Sequence, residues 1–244
     1  MNRKRLGMMA MCLLLAVGGA AGALLWALTR VPDFYVQALS VEVDPAIRKQ
    51  SAEEFVANTI QLVQDIEHEP EWSHEFTQDQ INSWIVEELH QKYARHVPEG
   101  VSEPRVRFEN GLIFVGFRYN RKGINGVVSF QARPWVSGPN QLALEIESVR
   151  AGVVPIPLDK IIDKVSQHLA SKGWLIEWTQ SDEGNDIAIL HLDPHGQAEA
   201  VLETLEVIDG AIRMSGKGKA KYVPDTDDSD RKNAHSETNE KVRR

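Results

Sequence analysis

Eight histidines and one cysteine bound the side-chain chemistry open to this 244-residue chain. The closest set of potential metal ligands is His191-Leu192-Asp193-Pro194-His195, where a strand end would present two imidazoles and a carboxylate. A catalytic zinc needs three protein ligands and an open position. Strand alternation points His191 with Ile187 and Ile189, while Pro194 forces a turn before His195, so the spacing does not make the three groups converge. His68 with His74 and His90 with His96 are each separated by a proline or a helix end, and read as still weaker pairs. Glu145 and Glu147, two apart on one strand, have the residue types of a glycosidase pair, but two acids facing solvent are the ordinary outer face of an alternating strand. No Gly-x-Ser-x-Gly, Walker, dinucleotide or His-Glu-x-x-His pattern occurs, and Gly216-Lys217-Gly218-Lys219 lacks the phosphate-loop spacing. With Cys12 alone there is no intramolecular disulfide and no cysteine-rich zinc site. The chain reads as non-enzymatic, with no metal, no cofactor and no catalytic residue assigned.

Aromatic spacing offers a binding site instead. Trp174, Ile176 and Trp178 alternate with Leu175, Glu177 and Thr179, which sets two indoles and an isoleucine on one strand face. Phe117, Tyr119 and Phe130 fall together on another apolar strand face, and Ile162 and Val165 lie on the apolar stripe of a helix. Phe117, Tyr119, Phe130, Ile162, Val165, Trp174 and Trp178 are therefore the candidates to line a groove between helix and sheet; the same residues would equally fill a closed core.

The elements that position them follow from periodicity. Asp44-Pro45 opens a helix with a stripe of Phe55, Val56, Thr59, Leu62, Val63 and Ile66, closed by Glu67-His68-Glu69-Pro70. Thr77 and Gln80 have capping-box spacing ahead of a second helix, 78–92, with Ile81, Trp84, Ile85 and Leu89 on one face. After Pro98 the pattern turns to strand alternation. Asn110-Gly111 is a favoured hairpin loop, and pairing outward from it sets Phe108 opposite Ile113 and Val106 opposite Val115. Val106, Phe108, Ile113, Val115, Phe117 and Tyr119 then share an apolar face, while Arg105, Arg107, Leu112 and Phe114 make a mixed one. A strand near 126–133 aligns Val128, Phe130 and Ala132; after Ser137-Gly138-Pro139-Asn140 another aligns Leu142, Leu144 and Ile146. Gly152-Val153-Val154-Pro155-Ile156-Pro157 breaks the sheet before a helix at 158–171, whose Leu158, Ile161, Ile162, Val165 and Leu169 are expected to cover the sheet as the core of the fold. Strands at 174–179, 186–192, 201–208 and 211–219 follow, the last two meeting at Asp209-Gly210. The fold class is α+β: an N-terminal transmembrane helix, then a curved antiparallel sheet packed around a long amphipathic helix.

Both ends of the chain are distinctive. Residues 6–28 run without a charge, and 23 residues of helix span about 34 Å, enough for a hydrocarbon core of about 30 Å. Small residues at 16–23 leave a cleavable signal peptide as the competing reading, but Leu24-Leu25-Trp26-Ala27-Leu28 prolongs the run and Trp26 suits the outer interface. Met11 before Cys12 is too bulky for a lipoprotein site. Arg3, Lys4 and Arg5 stay cytoplasmic by the positive-inside rule, which sends the bulk of the chain outside. Residues 1–30 hold four basic residues and no acidic one, leaving 23 basic against 35 acidic in the rest, so neither nucleic acid nor an anionic lipid surface is attracted in general. Residues 221–244 mix charges of both signs with almost nothing apolar and read as a disordered tail. Three segments result: a basic stub and membrane anchor at 1–30, an extracytoplasmic α+β domain at 31–220, and the tail at 221–244.

Phe76-Thr77, Gln80-Ile81-Asn82-Ser83-Trp84, Pro104-Arg105-Val106, Gly111 and the run Val149-Arg150-Ala151-Gly152-Val153-Val154-Pro155-Ile156-Pro157-Leu158 together resemble the membrane-anchored bacterial YpmS-type family over about residues 75–170. More distantly the layout is similar to tubular lipid-binding (TULIP-like) modules, in which a sheet rolls around a helix and leaves an apolar groove. The resemblance implies a single-pass protein of the bacterial cell membrane whose outer domain holds a lipid or other apolar ligand. The alternative is a non-catalytic envelope scaffold or interaction domain with a closed core and a protein partner. Protease added outside spheroplasts is expected to degrade the 31–244 segment, and an intact mass matching the full chain is expected after extraction from membranes; full protection would place the domain in the cytoplasm.

Overall fold

Two helix starts in this chain are fixed by side-chain hydrogen bonds. In the computed structural model, which describes residues 26–40, 44–121, 124–193 and 199–220, α1 spans Asp33–Ser40 and α2 spans Pro45–His68. The Asp44 carboxylate accepts from the Ala46 N–H and proline occupies the first turn, as expected. Strand β1, Glu71–Thr77, was not expected: Trp72 and Phe76 are buried on one side, but the intervening Ser73, His74 and Glu75 hide the alternation. Thr77 then caps α3, Gln78–Trp84, with both hydrogen bonds of the capping box made, and a π-helical turn at Ile85–Leu89 carries the helix on to His90–Lys92.

The strands follow as β2 (Val101–Glu109), β3 (Leu112–Arg121), β4 (Ile124–Gly138), β5 (Gln141–Ala151) and the short β6 (Val154–Pro155). Helix α4 (Asp159–Ala170) precedes β7 (Leu175–Gln180), β8 (Asp186–His191), β9 (Val201–Ile208) and β10 (Ala211–Lys217). They form two antiparallel sheets, a large one ordered β2-β3-β4-β5-β8-β7 with β6 on β5, and a small one ordered β1-β10-β9. Asn110 and Gly111 both have positive φ, and the hairpin they close has the expected register, Phe108 against Ile113 and Val106 against Val115.

The expected apolar face runs across the whole large sheet. Phe117 pairs with Val128 and Val128 with Ala151; Val115 pairs with Phe130 and Phe130 with Val149. Between Gln131 and Ala132 the partner steps from Ser148 to Ile146, so Glu147 is an extra residue. That bulge keeps Leu142, Leu144 and Ile146 on the same face as Val149 and Ala151, although their spacing in sequence is out of phase. Ala188 and Trp178 extend the face to the far edge.

Burial is deepest on the other, mixed face. The segment 26–40 lies across it: Tyr35, fully buried, sits over Gly116, where a side chain would stand 2.7 Å from its ring, and donates its hydroxyl to the Glu103 carbonyl at 2.8 Å. Burial, then Glu103, pushes the Tyr35 phenol pKa up. Phe34 tilts against Phe114, ring centres 5.4 Å apart. A second cluster joins α2, β1 and α3 through Phe55, Phe76 and Trp84. On α2 the inward face is Ala52, Phe55, Leu62 and Ile66; Val56 and Val63, expected in that stripe, are exposed with Ile60. The role expected of α4 is corrected too: its main contact is with the edge strand β7, and none of its described side chains is fully buried.

Among the described residues no helix is long and apolar enough to cross a membrane, and the expected span lies mostly at 1–25, outside them, as does the tail at 221–244.

Asn82 reaches from α3 to the outer edge of β2, donating to the Val106 carbonyl at 2.8 Å and accepting from its N–H at 2.9 Å. Replacing Asn82 by Ala strands both backbone groups, and a loss of about 1 to 3 kcal/mol is expected as a lowered urea midpoint with an unchanged slope.

Candidate functional site

The apolar face of the large sheet has three different surroundings. At the Phe108 end, β9 lies against β4, and Phe108, Ala132 and Val207 are buried. At the β7 edge, α4 stands over the face, fixed by the Trp178 Nε1–H, which donates to Ser166 Oγ at 2.9 Å. Between them Val115, Phe117, Tyr119, Val128, Phe130 and Val149 are only half-buried. These residues form a half-buried apolar floor, with α4 standing to one side as a wall and β9 across one end.

Six of the seven groove candidates lie on this floor or on the helix beside it. Phe117, Tyr119 and Phe130 lie on the floor, Ile162 and Val165 are half-buried on α4, and Trp178 ties the wall to the floor. Trp174 does not join them. Gly173, at φ 81°, closes α4, and the Trp174 N–H bonds back to Leu169 O at 3.0 Å, so Trp174 belongs to the turn and is 42% exposed. Strand alternation, which grouped it with Trp178, starts only at Leu175.

The far end of this apolar floor lies beside the end of the apolar N-terminal run. Tyr119 pairs with Gly126, and Val128 pairs with Ala151, next to Gly152. A side chain on Gly152, at φ 60°, would meet the Ala27 carbonyl oxygen at 2.3 Å and that of Leu28 at 2.6 Å; one on Gly126 would stand 3.0 Å from the Leu28 oxygen. The Val153 N–H donates to Ala27 O at 3.1 Å. Two glycines thus hold the last residues of the run against the sheet, and beside them Val153 and Trp26 are exposed, with Arg30 4.3 Å above the Trp26 ring. This clasp was not evident from sequence, where Gly152 marked only a break in the strand.

The residues considered for catalysis are dispersed. His74 Nε2 meets Asp65 Oδ2 at 2.8 Å, which holds the Asp65 carboxyl below its usual range, while His68 Nδ1 faces its own helix at Gln64 O. His191 Nε2 lies 3.2 Å from Glu177 Oε1; His195 and the side chains of His90 and His96 are outside the described residues. Among the described residues no group of three potential ligands surrounds a common point. Glu145 accepts from Asn185 Nδ2 at 2.9 Å, which lowers its pKa, whereas Glu147 pairs with Arg133 at 2.8 Å. The bulge and these separate partners divide the two carboxylates.

Compared with known proteins, the chain matches no family model, no curated protein and no solved structure.

Gly152→Ala is expected to force Ala27 and Leu28 off the sheet, at a cost of about 2 kcal/mol or more, read as a lower thermal midpoint and faster proteolysis near residue 30.

Proposed function

We propose that this protein is a single-pass, membrane-anchored, extracytoplasmic and non-enzymatic binder of a lipid or similar apolar ligand. The observation that carries this reading is the half-buried apolar floor between α4 and β9, which we read as a ligand trough, with its far end at the strand level where Ala27 and Leu28 are clasped. Burying an acyl chain there would be driven by roughly 25 cal/mol per Å² of apolar surface removed from water. α4 suits the part of a movable wall, because its main contact is with the edge strand β7, including the bond from Trp178 to Ser166. The apolar run of residues 6–28 would anchor the domain, and the clasp would then turn the far end of the trough toward the bilayer.

A second reading is an envelope scaffold. It is favoured by Val56, Ile60 and Val63, which form an exposed apolar stripe on the outward face of α2 and suit a protein partner.

Two measurements on the same variants separate these readings. Mass spectrometry of lipids retained by the purified protein is expected to find an acyl-chain ligand. Ile162→Trp and Val165→Trp are expected to fill the trough and abolish that retention with little change in denaturant midpoint. A drop of about 1 to 3 kcal/mol in a protein that never carried lipid is the overpacking of a closed core, and would leave the scaffold standing.

A further inference from the structure

Arg48, Arg105 and Arg107 line one cavity of about 770 Å³, bounded by the end of α1, the start of α2, α3 and β2. Two of the three have carboxylate partners: Arg48 Nε lies 2.5 Å from Glu87 Oε1, and Arg107 Nη2 lies 3.1 Å from Glu109 Oε1, while Arg107 also donates to Gln37. Arg105 differs. Its guanidinium is half-buried and donates to the Pro104 carbonyl at 2.8 Å, and among the described residues no carboxylate oxygen lies within 4.0 Å of it. Neighbouring Glu103 is paired with Arg118 instead.

A guanidinium carries five donors and does not give up its proton in proteins, so a partly desolvated one needs acceptors. Of the acceptors lining the cavity, Asn82 Oδ1 is taken by the Val106 N–H, Gln78 Oε1 by the Phe108 N–H, Asp209 Oδ1 by the Asn110 N–H and Glu109 by Arg107; Asp79 lines the cavity too but does not come within 4.0 Å of the Arg105 guanidinium. Arg105 and Arg107 are two apart on β2 and so point to the same side, about 7 Å apart along the strand. Burial lowers the Arg105 pKa and Arg48 adds to that effect, while Tyr35 and the more distant charge of Glu103 oppose it.

We propose that this cavity binds an anion with oxygen acceptors, a phosphate or carboxylate group, on Arg105 with Arg107 as the second donor. The site does not rest on the trough, because Arg105 and Arg107 lie on the opposite face of β2 from Val106 and Phe108. The anionic group belongs either to a free small molecule or to a lipid headgroup of the same chemistry.

The test uses the full chain in neutral detergent micelles, titrated calorimetrically at constant ionic strength with inorganic phosphate and pyrophosphate, then with micelles containing phosphatidylglycerol. Saturable binding is expected, weakened about tenfold by Arg105→Gln and less by Arg107→Gln, as loss of a charge-assisted hydrogen bond implies. Arg213→Gln, which removes a surface pair with Glu75 on the small sheet, is expected to bind like the parent. Binding of the inorganic probes identifies a free anion, and binding of the lipid alone identifies a headgroup; either sustains the site. Should Arg105→Gln fail to fold, Arg105→Lys and Arg107→Gln carry the comparison. No saturable binding of any probe, or binding unchanged in the variants that fold, would overturn it.

Discussion

An edge strand must give its outward N–H and C=O groups a partner, and β2 is the edge of the large sheet nearest the helices. All four outward groups of Val106 and Phe108 are satisfied by side chains of α3 and by the turn between β9 and β10. Asn82 takes both groups of Val106, Gln78 accepts from the Phe108 N–H, and the Gly210 N–H donates to the Phe108 carbonyl. Since Gln78 and Asn82 are one helical turn apart, these bonds set α3 along the strand edge. The position of α3 then sets Trp84 against Phe55, which packs in turn on Phe76, and this holds α2 and β1, and through β1 the small sheet. Further polymerisation at this edge is blocked by the same contacts.

The two faces of the large sheet are treated differently. On the mixed face Tyr35 covers Gly116 and Phe34 packs on Phe114, and the clasped residues before them bring the N-terminal run to one end of the strands. The apolar face is left partly open. That distribution runs opposite to the usual alternation, in which the apolar face would hold the core.

Local signals were legible because their physics is local. Asp44, Thr77 with Gln80, Asn110-Gly111 and Asp209-Gly210 each act within four residues, and the elements they bound form where expected. The apolar floor of the trough was legible for the same reason, since Phe117 and Phe130 follow from hairpin register. What was hidden depends on distant partners. The strand at Glu71–Thr77 is mostly polar on its outer side and exists because β10 pairs with it. Burial of the mixed face requires Tyr35, some 80 residues before its Gly116 neighbour. Arg105 looked like an ordinary outward residue, and its lack of a carboxylate is visible only once Glu103 is seen with Arg118. The bulge at Glu147 shifts the alternation in a way no periodic pattern encodes.

The pairing of β1 with β10 also has a temporal side. Glu71 lies beside Lys217 and Thr77 beside Ala211, so one of the earliest strands made has its partner in the last described segment. A ribosome adding about 5 to 20 residues per second would leave β1 waiting roughly 7 to 28 seconds for that partner. During that interval the indole of Trp72 and the ring of Phe76, both buried in the finished fold, have only α2 and α3 to shelter them. A chain shortened by the length of one hairpin at its C-terminal side would therefore expose the aromatic side of its N-terminal half, and quality control acting on exposed apolar surface would read completion of the whole domain from that single ladder.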